Sequence, residues 1–190
     1  MSECALTIFD TAIGRCALMW RGGLIVGAAL PEASEAGLRA SLKRRFPGSG
    51  EADPPPFVQA AVEAVVRLLS GKAEDFSGLA LDMEDLPAFD RSVLEETRRI
   101  PCGETRTYGE IAFALASPGA ARAVGRALGR NPLPIIIPCH RVLAASGRSG
   151  GFSAPGGAST KLRILEIEGA RRGPEPELFE RLPWAVKPGS

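Results

Sequence analysis

The sequence predicts an α+β fold, in which a small N-terminal domain of strands and helices precedes a mostly helical C-terminal domain with a helix-turn-helix. Short apolar runs separated by turn residues fill the first 30 residues, whereas the spacing of apolar residues after residue 85 is helical. The charge balance also changes from acidic to basic near residue 86. We therefore expect an N-terminal scaffold domain at 1–85, a second domain at 86–172 and a Pro-rich C-terminal tail at 173–190.

The N-terminal elements follow from apolar spacing and turn residues. Strands are expected at 5–11, 14–20, 23–30 and 79–83, the first three separated by the turn signals IG and RGG. Helices are expected at 33–46 and 57–71, on either side of the loop PGSGEADPPP. This part contains no motif with recognisable chemistry, so we interpret it as a scaffold.

The C-terminal part is predicted to contain four helices, at 85–101, 107–116, 120–131 and 159–169. The second and third flank the tight turn SPG, as in a helix-turn-helix. The third has an apolar face and, opposite it, arginines at every fourth position: Arg122, Arg126 and Arg130. Its small residues would let it lie in a nucleic-acid groove, with Arg126 as a DNA contact. The alternative is a packed helix with solvated arginines.

Composition narrows the possible functions. The chain lacks a signal-peptide pattern and any apolar run near the ~20 residues of a membrane span, so we expect a cytoplasmic protein without membrane contact. Four cysteines without CxxC spacing and a single histidine predict reduced thiols and no metal site. Between residues 111 and 165 there are seven basic residues and no acidic one, which indicates either a polyanionic partner or a solvated basic surface.

The segment NPLPIIIPCHRVLA (131–144) places Cys139 beside the only histidine, His140, after an apolar strand-like run. Pro138 is suited to opening a helical turn, at whose positive end a Cys139 thiolate would be stabilised. Adjacent side chains on such a turn diverge, so a water molecule rather than a direct bond could link the two. A histidine base also needs an orienting carboxylate, and the nearest later ones are Glu166 and Glu168. The alternative is an ordinary buried cysteine.

Several motifs together resemble one family. YGEIA, GAARAVGRALGRNPLPIIIPCHRV, GGFS and the EG at 168–169 are similar to the O6-alkylguanine-DNA alkyltransferases, also called methylated-DNA–protein-cysteine methyltransferases. PCHR in this context is a highly specific signature, and the strong match covers about residues 86–169. The N-terminal part resembles the family's variable first domain only in size, order and its IG-containing hairpin.

The resemblance implies direct-reversal DNA repair by a monomer, with 86–172 as the DNA-binding and alkyl-acceptor domain. The protein would bind double-stranded DNA from the minor groove and flip out an O6-alkylguanine. The alkyl group would then move irreversibly to Cys139, once per molecule and without a cofactor. O4-alkylthymine is a further candidate substrate.

The resemblance also implies roles for individual residues. Cys139 resembles the acceptor, His140 the water-linked base, Glu168 its orienting carboxylate and Asn131 the brace between the recognition helix and the active-site segment. Arg122 resembles the arginine that replaces the flipped nucleotide in the base stack. The implied guanine pocket consists of the side chains of Tyr108, Leu128, Pro134, Phe152 and Ser153, and the backbone carbonyls of Cys139 and Val142. Tyr108 would also help to turn the nucleotide out of the DNA.

One loop departs from the family pattern, which usually reads GGYSGG where this chain has GGFSAPGG. Phe152 has no hydroxyl group to donate, and Ala154 with Pro155 lengthens the loop, so we expect an altered range of alkyl groups. Three rival functions fit the sequence less well. A non-catalytic alkylguanine-DNA sensor would lack the acceptor cysteine, whereas Cys139 is present. A cysteine hydrolase usually brings its histidine from a distant part of the chain, whereas the single histidine here is adjacent to the cysteine. A DNA-binding regulator with a redox cysteine would need a second sensing cysteine or an effector site, and the sequence indicates neither.

Overall fold

The computed structural model describes residues 4–145 and 151–170. The expected tail at 173–190, the loop residues 146–150 and with them Arg148 lie outside the described residues. The strands are β1 (Ala5–Thr11), β2 (Gly14–Arg21), β3 (Leu24–Ala29), β4 (Gly50–Glu51), β5 (Arg106–Thr107) and β6 (Val142–Leu143). The helices are α1 (Glu35–Arg45), α2 (Pro56–Leu69), α3 (Ala88–Arg98), α4 (Tyr108–Ala114), α5 (Ala121–Gly129) and α6 (Gly157–Ile167), and a 3-10 turn lies at Cys139–Arg141.

The described residues form a mixed α+β fold, as the sequence predicts. The N-terminal sheet has the order β3-β2-β1-β4, in which β1, β2 and β3 are antiparallel neighbours and the short β4 runs parallel to β1. Residues of α2 at helical spacing are buried, and with the inner side of β2 they form part of the largest core cluster. The three long strands begin and end within one residue of their predicted bounds.

The predicted strand at 79–83 is wrong. Only Leu81 pairs with the sheet, in one parallel bridge to Ile25. The side chain of Asp82 accepts a hydrogen bond from the backbone N–H of Glu84, 3.3 Å away, and such a bond turns the chain and ends the pairing. This strand-like segment therefore contributes only one β-bridge to the edge of the sheet.

Capping and turn residues determine where the helices of the C-terminal part begin. Pro87 fixes the start of α3, three residues later than predicted. Thr107 and Glu110 form a reciprocal capping box that starts α4. Gly119, with φ of 90°, supplies the left-handed residue in the turn between α4 and α5. The two helices pack against each other, and Arg122 near the start of α5 is exposed.

The arginine face predicted on α5 is only partly correct. Val124, Ala127 and Leu128 are buried, as the apolar spacing predicts. Arg130, however, donates from Nε and Nη2 to the two carboxylate oxygens of the buried Asp90 in α3, at 2.8 and 2.9 Å. Within the described residues, the arginines of this face that pair with no acidic side chain are therefore Arg122 and Arg126.

The apolar run before Cys139 is buried but is not a strand. Asn131–Pro138 forms turns and a single bridge between Pro134 and Ile137, with Ile135 at a positive φ of 74°. Its start is fastened to the N-terminal sheet, because the backbone N–H of Ala28 donates to the carbonyl of Pro132 over 2.9 Å. The largest core cluster likewise contains residues from both predicted domains. Among the described residues, no helix has the length and apolar character needed to cross a membrane.

Candidate active site

A groove of about 1350 Å³ runs along α5 and opens onto Cys139. One wall comes from α5, one from the N-terminal part around β3 and α1, and one from the loop at 151–155. The groove is lined by nine of the residues singled out from the sequence: Tyr108, Arg122, Arg126, Leu128, Asn131, Pro134, Cys139, Phe152 and Ser153. The other three, His140, Val142 and Glu168, lie behind it. The fold thus gathers residues that span 61 positions of the chain (168 − 108 + 1) around one thiol.

Cys139 sits at the floor of the groove with 8% of its surface exposed. Pro138 precedes the 3-10 turn that carries it, so a helical turn forms where the sequence predicts one. Burial raises the pKa of the Cys139 thiol, although a hydrogen bond from the Asn131 side chain and the charge of Lys161 act in the opposite direction. The resting thiol is therefore protonated at neutral pH, and its attack requires a base.

His140 is fully buried, and its Nε2 lies 2.9 Å from Oε1 of Glu168. Because a carboxylate accepts at Nε2, that nitrogen carries the proton and Nδ1 is left as the acceptor. Nδ1 has no hydrogen-bond partner among the described residues. Burial lowers the pKa of His140, which outweighs the opposing effect of Glu168, so the imidazole is neutral and able to take a proton.

Arg141 holds the carboxylate from the other side, a contact that the sequence analysis missed. Its Nε and Nη2 donate to both oxygens of Glu168 at 2.9 and 2.8 Å, and its Nη1 donates to the carbonyl of Ile100. Burial alone would raise the pKa of Glu168, but hydrogen bonds from His140 and Arg141 lower it to about 2. The sequence offered two carboxylates as candidates for orienting His140. Glu168 faces the histidine, whereas Glu166 is exposed.

Asn131 connects the end of α5 to the segment that carries Cys139. Its Nδ2 donates to the carbonyl of Ile137 over 2.9 Å, and its Oδ1 accepts from the N–H of Leu133 over 3.0 Å. The two bonds close the loop that contains Ile135, whose positive φ is unfavourable for a β-branched residue. Asn131 therefore fixes a strained turn directly before the nucleophile.

Lys161 is a second residue that the sequence analysis missed. It is fully buried, its Nζ donates to the carbonyl of Val142 over 2.6 Å, and it lies 5.8 and 6.0 Å from the ring centroids of Tyr108 and Phe152. Burial lowers its pKa to about 8, against the opposing effect of Cys139. A lysine within an amphipathic helix is normally exposed to solvent. The sequence clue to a role in the site is that Lys161 lies two helical turns before the EG at 168–169.

Small residues on α5 let the aromatic wall and the loop approach the helix. A Cβ at Gly125 would lie 3.7 Å from the Tyr108 ring, and one at Gly129 would lie 3.3 Å from Oγ of Ser153. The hydroxyl of Tyr108 makes a long 3.4 Å hydrogen bond to the carbonyl of Gly151. The lengthened loop is anchored to α6, since Oγ1 of Thr160 donates to the carbonyl of Pro155 over 2.8 Å. The Tyr108 ring and the loop at 151–155 therefore lie close to α5 beside the groove.

Within residues 4–145 and 151–170, no group of three or more His, Cys, Asp and Glu side chains is arranged to hold a metal ion. The chemistry of the site comes from a thiol, a neutral imidazole and a buried carboxylate held by an arginine. That set can generate a thiolate inside an apolar wall and stabilise the imidazolium that forms with it.

Comparison with known proteins gives two sequence matches. The family model described as "6-O-methylguanine DNA methyltransferase, DNA binding domain" matches residues 88–170. A methylated-DNA–protein-cysteine methyltransferase of Mycobacterium tuberculosis is 42% identical over 128 residues, which cover 67% of this chain and 74% of that protein. This chain belongs to the methylated-DNA–protein-cysteine methyltransferases.

Solved structures of this methyltransferase family share the fold of the chain. The Mycobacterium tuberculosis OGT in complex with DNA aligns with a TM-score of 0.71 and 35% identity, covering 87% of this chain and 92% of that one. An O6-methylguanine-DNA methyltransferase of Pyrococcus kodakaraensis aligns with a TM-score of 0.67 and 28% identity, covering 88% and 99%. The similarity therefore extends beyond the C-terminal motifs to the N-terminal part, whose sequence carried little resemblance.

Proposed function

We propose that this methyltransferase repairs O6-alkylguanine in double-stranded DNA by transferring the alkyl group to Sγ of Cys139. The observation that carries the proposal is the arrangement on one short turn. Cys139 faces the groove, while His140, the next residue, points behind it to the buried carboxylate of Glu168. Family membership makes the reaction a direct reversal of DNA damage, and the geometry supports the groups that we propose perform it.

The proton moves first in the proposed reaction. A water molecule between Sγ of Cys139 and Nδ1 of His140 relays the thiol proton to the imidazole. The resulting imidazolium is stabilised by Glu168, whose own pKa of about 2 keeps it ionised throughout. Arg141 keeps both carboxylate oxygens in place while the charge on the imidazole changes. The positive Lys161 near the thiol stabilises the thiolate.

The thiolate then displaces guanine from the alkyl carbon. An S–C bond forms as the bond between that carbon and O6 breaks, and the departing guanine takes one proton to restore its N1–H. The proton lost by the thiol balances the one that guanine gains. A thioether is not cleaved by water under cellular conditions, so each molecule accepts one alkyl group and no cofactor is consumed.

We infer that α4 and α5 act as a helix-turn-helix on the DNA. Arg122 and Arg126 are exposed on α5 and pair with no acidic residue in the described parts of the chain. We assign Arg122, at the start of the helix, to the space left in the base stack and Arg126 to a phosphate. Tyr108, Leu128, Pro134, Phe152 and Ser153 would hold the flipped base, with the buried carbonyl of Val142 shared between the guanine amino group and Lys161.

The proposal also concerns the oligomeric state and the domain boundary. One chain supplies every group the reaction needs, which favours a monomer. A boundary near residue 86 is supported by the family match, which begins at residue 88, and by the change in charge. O4-alkylthymine as a further substrate and a cytoplasmic location stay predictions.

Intact mass spectrometry tests the proposal. The protein is mixed with a duplex oligonucleotide that carries one O6-methylguanine, and the adduct is mapped by peptide analysis. We expect one added methyl group per molecule, on Cys139, and none in a Cys139→Ala variant that still binds the duplex. Tight binding without any adduct in the natural chain would instead indicate a damage sensor, and an adduct on another cysteine would overturn the assignment of Cys139.

A further inference from the structure

The N-terminal part contributes one wall of the groove, although the sequence carries no chemistry there. Ser41 and Arg45 of α1 line it together with Arg126 of α5. The last turn of α1 contains three consecutive basic residues, Lys43, Arg44 and Arg45. Cations at the end of a helix are favourable for the helix itself, so their presence alone proves no partner. Their individual contacts separate them into three different roles.

Arg45 fastens the end of α1 to the active-site segment. Its Nη1 and Nη2 donate to the carbonyl of Ala28 at 3.2 Å, and its Nη2 also donates to the carbonyl of Pro132 at 3.2 Å. Pro132 directly follows Asn131, the brace of the Cys139 segment. The last turn of α1 is therefore held at a fixed position beside the C-terminal end of α5.

Arg44 is exposed and makes no hydrogen bond or ion pair with any residue in the described ranges. It follows Ser41 by three positions, and residues at this spacing are neighbours on a helix surface. Ser41 lines the groove and Arg44 does not, so the spacing places Arg44 beside Ser41, outside the lining and next to the rim of the groove. Lys43 follows Arg39 by four positions and lies on the side where Arg39 pairs with Glu35 and Glu51, away from the groove.

We propose that Arg44 extends the DNA interface onto the N-terminal part, where it contacts a phosphate of the duplex beside the lesion. Together with Arg122 and Arg126, which line the groove, it would extend the basic surface from α5 to the rim of the opposite wall, complementary to a nucleic-acid backbone. Glu32 is the acidic residue of that groove, and it reduces the attraction for phosphate. This inference rests on the proposed function, since it takes DNA as the ligand of the groove.

The test compares two substitutions that remove the same charge from the same helix. Arg44→Gln and Lys43→Gln are each made in the full chain with Cys139→Ala, and binding to a duplex with one O6-methylguanine is measured by fluorescence anisotropy over a series of salt concentrations. One lost phosphate contact lowers the slope of log K against log salt by about 0.9. We expect that loss of slope, and a Kd raised about threefold or more, for Arg44→Gln and no change for Lys43→Gln. Glu32→Gln should shift Kd in the opposite direction.

The inference would be overturned if Arg44→Gln left the salt slope unchanged. It would also be overturned if Arg44→Gln and Lys43→Gln reduced the slope equally, because that would mean a diffuse effect of net charge. The proposed function has a separate readout, because the natural chain either gains a methyl group on Cys139 or does not. Arg44→Gln in the chain with Cys139 intact should still reach one methyl group per molecule at saturating duplex. Methyl transfer with no contribution from Arg44 would reject only the inference drawn from α1.

Discussion

Replacing Glu168 by Gln should weaken both the fold and the reaction, because this carboxylate is the only negative charge that faces His140 and Arg141 within the described residues. Glutamine keeps the size of the side chain and removes the charge. The shift of the Glu168 pKa from 4.5 to about 2 corresponds to about 3 kcal/mol of stabilisation at neutral pH, at about 1.4 kcal/mol per unit. Removing one partner of a buried ion pair costs ~3–5 kcal/mol of unfolding free energy, which agrees with the value from the pKa shift.

The rate of alkyl transfer should fall through the same loss. Without the carboxylate, the imidazolium formed at His140 loses a charged hydrogen bond worth ~1.5–3 kcal/mol, or roughly 10- to 100-fold in rate. The rate is measured by rapid quench with a duplex that carries one O6-methylguanine, and stability by urea unfolding. Glu168→Asp, which keeps the charge on a shorter side chain, should fall between the natural chain and Glu168→Gln in both measurements.

The matched control is Glu166→Gln, which removes the same charge from an exposed position two residues earlier. It should leave the rate and the unfolding free energy close to those of the natural chain, since exposed charges contribute little. If Glu168→Gln reacted as fast as Glu166→Gln, the carboxylate would have no role in the proton transfer. If its unfolding free energy were also unchanged, the buried network would not stabilise the fold.

Three further predictions concern neighbouring groups. Arg122→Ala should slow transfer on duplex DNA more than on a single strand, because only the duplex needs its base stack filled; equal slowing on both would reject that role. Lys161→Met should slow transfer about tenfold and remove from the pH–rate profile a titration near pH 8, since Lys161 has a pKa of about 8; an unchanged profile would make the lysine merely structural. The folded chain lowers the pKa of His140 below 6.5, so its contribution to stability is present above pH 6.5 and is lost as pH falls. The melting temperature should therefore drop between pH 7 and 5, and His140→Gln should reduce that drop.

The sequence predicts the regular part of this fold well because local rules decide it. Alternating strands with glycine turns and amphipathic helices between prolines leave few alternatives, and the observed bounds differ by only a few residues. The errors occur where a side chain overrides the pattern. Asp82 turns the chain out of the predicted strand after one bridge, and Asn131 holds the apolar run before Cys139 in a loop with Ile135 at positive φ.

The site could be predicted in its residue types but not in its electrostatics. The adjacent Cys139 and His140, and a later carboxylate, are visible in the sequence. Which basic residues make contacts within the protein is not visible, because those contacts depend on tertiary packing. Of the six basic residues between positions 111 and 165 that the structure describes, four make internal contacts (Arg130, Arg141, Lys161 and Arg163), whereas Arg122 and Arg126 do not.

The division of these cations resolves an apparent conflict in the site. Burial raises the pKa of Cys139, which opposes its use as a nucleophile, and lowers the pKa of His140, which opposes its use as a base. Both effects favour the neutral pair at rest. Moving one proton from Cys139 to His140 leaves the net charge of the site unchanged, and each new charge then lies near an opposite one, the thiolate near Lys161 and the imidazolium beside Glu168. This arrangement suits a thiol that reacts only once and irreversibly. The thiol stays protonated and unreactive at rest, because the thiolate forms only together with the imidazolium that Glu168 and Arg141 are placed to stabilise.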